Sequence, residues 1–98
     1  MYELSEEAAQ DLLDILAESI ERWGEVTARK TAARLERRFE DIAAGLAVGH
    51  RRADVPKDFD LRFVNERPFV IAFDTTTRRI VRILYGAQDF PRVFRGRR

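Results

Sequence analysis

The spacing of the hydrophobic residues changes near the middle of this chain. Between residues 5 and 46 apolar residues recur every three or four positions, which is the spacing of one face of an α-helix. Between residues 59 and 85 they alternate with polar residues or form short runs, as β-strands do. The pattern therefore predicts a helical first half that packs against a strand-rich second half.

Two amphipathic helices are predicted before residue 50. Ser5 is a suitable N-cap for the first, and Gly24 ends it. The second begins almost at once, so the two helices must be antiparallel neighbours. The apolar stripe of the first helix is Ala8, Leu12, Leu16, Ile20 and Trp23, widened by Ala9, Leu13 and Ile15. The stripe of the second is Ala28, Ala32, Leu35, Phe39, Ile42 and Leu46.

Four strands are predicted, one before the helices and three after them. Residues 1–4 form a short strand, and residues 59–63 alternate between apolar and charged side chains. Two apolar runs, 69–73 and 79–85, flank the polar segment 74–78 and predict a hairpin. Both faces of the run 69–73 are apolar, so we expect an interior strand that is covered on both sides.

The order of the predicted elements defines the fold class. We expect an α+β fold with a short N-terminal strand, an antiparallel helical hairpin and a three-stranded antiparallel meander. Strands that follow a helical pair favour a layered arrangement, with the helices on one face of the sheet. At 98 residues, the chain is expected to be a single domain spanning residues 1–98.

Composition excludes several kinds of site. There is no cysteine and only one histidine, His50, so neither a disulfide scaffold nor a thiolate metal site can form. We expect no metal and no cofactor. No apolar run approaches the ~20 residues that a membrane span needs. We therefore expect no membrane segment, and a cytoplasmic protein is the simplest prediction.

Charge is distributed unevenly along the chain. Residues 1–24 contain seven acidic residues and one arginine, whereas residues 90–98 contain four arginines and no acidic residue. This asymmetry is consistent with a charged partner for the basic end. It is equally consistent with a solvated helix face and a frayed tail.

Arginine is the residue type that most clearly indicates a binding or catalytic role. Several arginines lie on or beside the predicted sheet, and Arg82 and Tyr85 occupy its last strand. A nuclease could use tyrosine or histidine for proton transfer and arginine to stabilise the phosphate charge. In a regular strand, however, Arg82 and Tyr85 point to opposite faces. We therefore assign no catalytic residue, and His50 is expected to be a surface residue in a loop.

Several segments resemble a known family. Residues 84–89, with the sequence Leu-Tyr-Gly-Ala-Gln-Asp, resemble the Leu-His-Gly-Ala-Arg-Asp that closes the last strand in ParE toxins of the RelE/ParE superfamily. The chain departs from the family pattern at Tyr85 and Gln88. Three other segments, 22–24, 49–52 and 70–73, are also similar to that family and occur in the same order.

The resemblance implies a toxin of a type II toxin–antitoxin (plasmid stabilisation) system that a ParD-like antitoxin neutralises. Members with an assigned target poison DNA gyrase, whereas RelE-type relatives cut mRNA on the ribosome. Three functions therefore stay open: a gyrase inhibitor, a ribosome-dependent endoribonuclease, and a non-toxic antitoxin-binding module. Because the one histidine lies in a loop, the gyrase inhibitor is favoured over the endoribonuclease. DNA would be contacted only indirectly, through the antitoxin complex or gyrase.

Two interaction surfaces are predicted on this basis. The basic tail and the end of the last strand are expected to face the target. The residues of this surface are Arg82, Tyr85, Arg92, Arg95, Arg97 and Arg98. The doubly apolar strand and the helical turn are expected to form a groove for the antitoxin. The residues of that surface are Trp23, Phe69, Ile71 and Phe73.

Overall fold

The computed structural model describes residues 1–56 and 59–95. Two long helices form a hairpin that is followed by a three-stranded antiparallel sheet and a short last helix. The elements are α1 (Glu6–Trp23), α2 (Glu25–Ala43), β1 (Leu61–Glu66), β2 (Phe69–Asp74), β3 (Ile80–Tyr85) and α3 (Phe90–Arg95). The strand order is β1-β2-β3, so β2 is central. The α+β architecture predicted from the sequence is confirmed.

The central strand β2 is buried on both faces. On one face Ile71 and Phe73 pack with Leu35 and Phe39 of the helical hairpin. On the other face Val70 and Ala72 pack with the aromatic residues of α3. The prediction of an interior strand covered on both sides is therefore confirmed, and α3 supplies part of the second cover.

The N-terminus of α1 is fixed to the edge of β3 by Ser5. Its Oγ accepts the N–H of Ala8 at 3.0 Å, as an N-cap does, and donates to the carbonyl of Val81 at 2.9 Å. The Ser5 N–H also donates to the carbonyl of Ile80 at 2.9 Å. These bonds set the rotation of α1 about its own axis. As a result, the C-terminal part of the predicted apolar stripe faces solvent. Ile20 is 50% exposed and Trp23 is 70% exposed, so neither joins the core.

The second helix ends earlier than its apolar pattern predicts. It stops at Ala43, and Gly45 follows with a φ of +77°. The Arg78 guanidinium covers this end by donating from Nη1 to the carbonyl of Ile42 at 3.2 Å. Positive side chains near the last turn of a helix bond with its free carbonyls and interact favourably with the negative end of the helix dipole. Leu46, predicted as the last residue of the stripe, lies beyond the helix and is exposed.

The strand boundaries differ from the predicted ones at two places. The N-terminal strand is present as a single parallel bridge between Leu4 and Ile80. The first strand of the meander runs from Leu61 to Glu66, rather than over residues 59–63, because the turn to β2 contains only residues 67 and 68. This tight turn lets the pairing continue to the very end of β1.

A β-bulge in β3 changes which side chains share a face. Ala72 pairs with Arg82, but Phe73 pairs with Ile80, so Val81 is an extra residue in the ladder. In a regular strand Val81 and Ile83 would share one face. In the structure Ile83 packs on the helix side and Val81 on the opposite side, because the bulge shifts the alternation by one residue.

Candidate functional site

Arg82 forms an ion pair within the chain. Its guanidinium donates from Nε to Asp11 Oδ2 at 2.8 Å and from Nη2 to Asp11 Oδ1 at 3.0 Å. Asp11 Oδ2 also accepts the backbone N–H of Ile83 at 2.8 Å. The two side chains are 21% and 14% exposed. Arg82 was predicted to face the target, and the structure places its charge against α1 instead.

We expect Asp11→Ala to lower the free energy of unfolding by about 2–3 kcal/mol, because it leaves a half-buried guanidinium and a strand-edge N–H without their acceptor. Chemical denaturation measures this change. Asp14→Ala is the matched control, because Asp14 lies on the same helix and its bond from Gln10 is exposed. Equal stability of the two variants would contradict a structural role for the Arg82–Asp11 pair.

Tyr85 lies at the end of β3 and contacts both α1 and β2. Its ring is 5.2 Å from the Phe69 ring between centroids, and its hydroxyl donates to Glu18 Oε2 at 3.3 Å. Burial and the nearby Glu18 carboxylate raise the pKa of the Tyr85 hydroxyl above its ordinary value. The hydroxyl is therefore a donor at neutral pH. Tyr85 and Arg82 reach different acidic residues of α1 and do not converge on one point.

The C-terminal segment docks on the face of the sheet opposite the helical hairpin. Phe90 and Phe94 of α3 are fully buried there, and both rings lie within 6 Å of the Phe63 ring. The Arg52 guanidinium stacks on Phe90, with its carbon 3.9 Å from the ring centroid. Arg92 is exposed on the outside of α3. Arg95 is the last residue of α3, and Arg97 and Arg98 lie outside the described residues.

The four residues predicted to contact the antitoxin fall into two groups. Ile71 and Phe73 are buried in the core between the sheet and the helical hairpin, with exposed fractions of 0% and 1%. A partner cannot reach them in this conformation, because α1 and α2 already cover them. Trp23 is exposed at the tip of the helical hairpin, and Phe69 is at the end of β2 nearest that tip.

Trp23 and Phe69 line a pocket between the hairpin tip and the end of the sheet. The pocket has a volume of about 230 Å³ and is named here the tip pocket. Ile15, Phe69 and Tyr85 supply apolar lining, and Ser19 and Thr31 bring hydroxyls from the two facing helices. Arg22 and Glu18 lie at the same pocket and form an ion pair at 3.3 Å. The sequence pattern did not single out this combination.

Two arginines of α2 hold the turn between β1 and β2. Arg38 Nε donates to Glu66 Oε1 at 2.9 Å, and Arg34 Nε donates to Glu66 Oε2 at 3.1 Å. Arg34 Nη2 also donates to the carbonyl of Arg67 at 2.6 Å. The charged outer face of α2 is therefore not wholly solvated, because these two arginines connect it to the sheet. Glu66, the acidic residue just before the turn, was the sequence feature that could have indicated these contacts.

The Arg38 and Arg34 bonds, opposed by burial, hold the pKa of the Glu66 carboxyl below its ordinary value of 4.5. A lowered folded-state pKa stabilises the fold above the unfolded pKa, and this stabilisation is lost as the pH falls through the folded pKa. We expect Glu66→Gln to cost about 1 kcal/mol near pH 7, and we expect this cost to shrink as the pH falls from 7 through the folded-state pKa. Thermal unfolding across this range tests it, with exposed Glu21→Gln as the control. A pH-independent difference would contradict the assignment.

Among the residues that the structure describes, no three histidine or acidic side chains are grouped to hold a metal ion. No described helix is both long and apolar enough to cross a membrane. His50 is exposed, and its backbone forms a bridge with Phe63 at the outer edge of β1.

The arrangement of a helical hairpin ahead of a three-stranded antiparallel sheet defines a small toxin-like α+β fold, and two comparisons identify its family. A family model described as ParE toxin of type II toxin–antitoxin system, parDE, matches residues 2–90. The chain therefore belongs to the ParE toxin family, as its sequence motifs indicated. A search of curated proteins finds no match.

A solved structure with the same fold comes from the chromosomal ParDE toxin–antitoxin system of P. aeruginosa. It is similar to this chain with a TM-score of 0.65 and 25% sequence identity. The match covers 87% of this chain and 96% of that chain. The likeness therefore extends over nearly all of the fold described above.

Proposed function

We propose that this protein inhibits DNA gyrase by direct binding in the cytoplasm and is neutralised by a ParD-like antitoxin. Membership of the ParE family is the observation that carries the proposal. The similar structure from P. aeruginosa comes from a ParDE system, which supports an antitoxin partner for this chain as well. The whole chain is proposed to act as one toxin domain.

The structure supports inhibition by binding over RNA cleavage. A nuclease of the RelE type would need an open sheet face with basic and proton-transferring side chains. In residues 1–56 and 59–95 both faces of β2 are covered, one by α1 and α2 and the other by α3. The two strand residues considered for phosphate chemistry are engaged within the chain, since Arg82 binds Asp11 and Tyr85 binds Glu18.

The target-facing surface is proposed to be the exposed side of α3 together with the tail. The buried Phe90 and Phe94 rings anchor α3, while Arg92 between them in sequence is exposed. This arrangement presents positive charge on a fixed support, which suits an acidic protein surface or the DNA that gyrase holds. Arg95, Arg97 and Arg98 extend the same positive segment in sequence.

Expression of the chain without its antitoxin tests the proposal. We expect growth arrest and induction of the SOS response while cellular mRNA stays intact. Purified protein should inhibit gyrase supercoiling and cause cleaved DNA to accumulate, and inhibition should weaken with salt because exposed charges are screened over about 8–10 Å. Ribosome-dependent mRNA cleavage would assign the nuclease function instead. Normal growth at equal expression would contradict a toxic activity and leave antitoxin binding as the remaining function.

A further inference from the structure

The tip pocket contains two buried hydroxyls that have no hydrogen-bond partner among the described residues. Ser19 is 9% exposed and Thr31 is 8% exposed, and both line the pocket. Both residues line an open pocket, so a polar group that enters the pocket can form hydrogen bonds with their hydroxyls.

The size of the tip pocket restricts its occupant. Its volume of about 230 Å³ is below the ~300–1,000 Å³ of sites that hold small molecules or cofactors. The pocket matches one large side chain of a partner protein instead. At protein interfaces tryptophan, tyrosine and arginine most often fill such pockets and contribute most of the binding energy.

The lining of the tip pocket distinguishes among these three side chains. Phe69 and Tyr85 provide apolar and aromatic lining, and Trp23 adds an indole that is 70% exposed. Aromatic rings pack well against such surfaces in tilted or edge-on arrangements. The acidic residue of the lining, Glu18, already pairs with Arg22 and accepts from Tyr85, so it is not free to pair with a positively charged occupant. The pocket therefore fits an aromatic ring that carries one polar hydrogen.

We propose that the tip pocket receives a tyrosine or tryptophan side chain of the antitoxin, whose O–H or N–H bonds with Ser19 and Thr31. This inference rests on the proposed function, because it assigns the pocket to the antitoxin. Trp23 then covers the inserted ring, and the antitoxin segment crosses the tip of the helical hairpin beside Gly24. The pocket accounts for two of the predicted antitoxin contacts, Trp23 and Phe69.

The first test uses side-chain analogues with the isolated chain. We expect p-cresol and 3-methylindole to shift the NMR signals of the Trp23 indole and of the Ser19 and Thr31 amides. The double variant Ser19→Ala/Thr31→Val keeps the shape of the pocket and removes both hydroxyls. It should bind p-cresol at least about threefold more weakly but bind toluene, which lacks a hydroxyl, as before. Absence of shifts at the pocket, or equal p-cresol binding by the variant, overturns the proposal.

The second test measures binding of the protein encoded by the adjoining gene, the candidate antitoxin. We expect the double variant to bind it at least about tenfold more weakly while its melting temperature is unchanged or slightly higher. Thr76→Val, an exposed threonine in the turn between β2 and β3, is the matched control and should bind as the parent does. Equal affinity of parent and double variant overturns the pocket assignment and leaves the proposed function intact.

Two other outcomes separate the remaining explanations. If the parent chain binds p-cresol in the pocket but forms no complex with the adjoining gene's product, the antitoxin assignment fails together with that part of the proposed function. If the parent self-associates with rising concentration and the double variant does not, the pocket belongs to a second copy of the chain. Sedimentation analysis of both proteins makes this distinction, and self-association of that kind overturns the proposal.

Discussion

Phe39→Ala is expected to lower the free energy of unfolding by about 3–5 kcal/mol. Phe39 is fully buried, and it packs between the sheet and the Tyr2 ring, whose centroid is 5.1 Å away. Truncation removes the apolar contact area and leaves a cavity that the surrounding helices and strands can close only in part. A domain of this size has about 5–15 kcal/mol of stability, so the loss is a large fraction of the total.

Leu13→Ala is the matched control for Phe39→Ala. Leu13 lies on α1, but 62% of it is exposed, so its truncation should change the free energy of unfolding by less than about 0.5 kcal/mol. Urea denaturation followed by circular dichroism measures both variants under the same conditions. If Phe39→Ala unfolds at the same urea concentration as the parent, the packing described for α2 is incorrect.

Replacing the four tail arginines by glutamine is expected to abolish growth arrest. The residues are Arg92, Arg95, Arg97 and Arg98. The change removes the positive charge proposed to face gyrase and leaves the buried Phe90 and Phe94 in place. The inhibitor concentration for half-maximal gyrase inhibition should rise at least about tenfold, while the melting temperature and antitoxin binding stay the same.

A second four-residue variant controls for the loss of charge. Arg29, Lys30, Arg37 and Arg67 are exposed cations of the helical hairpin and the β1–β2 turn, and their replacement by glutamine changes the net charge by the same amount. This variant should still arrest growth. If the hairpin variant loses toxicity and the tail variant keeps it, the target-facing surface lies on the outer face of α2.

Element types were predictable from this sequence because its periodicity is strong. The alternation of Val70 and Ala72 with Phe69, Ile71 and Phe73 identified the central strand without any tertiary information. The rotation of α1 was not predictable, since Ile20 and Trp23 are as apolar as the residues that pack in the core. Contacts distant in sequence decide it, namely the bonds from Ser5 and Asp11 to β3.

The candidate site was predicted less completely than the fold. Trp23 and Phe69 were selected for their apolar character, and the structure places both at the tip pocket. Ser19 and Thr31 carried no signal, because a serine or threonine in a helix usually faces solvent. Arg82 was selected for its charge, but sequence alone could not show that Asp11, 71 positions earlier, neutralises it. Such pairings depend on topology rather than on local pattern.

The edge of β3 bears on whether the chain pairs with other molecules. An edge strand with free N–H and C=O groups recruits strands of other molecules and leads to aggregation. Here Ser5 and Asp11 bind the edge at Val81 and Ile83, and Gln88 Oε1 accepts the N–H of Tyr85 at 2.8 Å. These bonds thereby hinder the addition of a strand from another molecule at β3. The proposed function requires the chain to act without its antitoxin, and a protected edge that resists strand pairing favours that function.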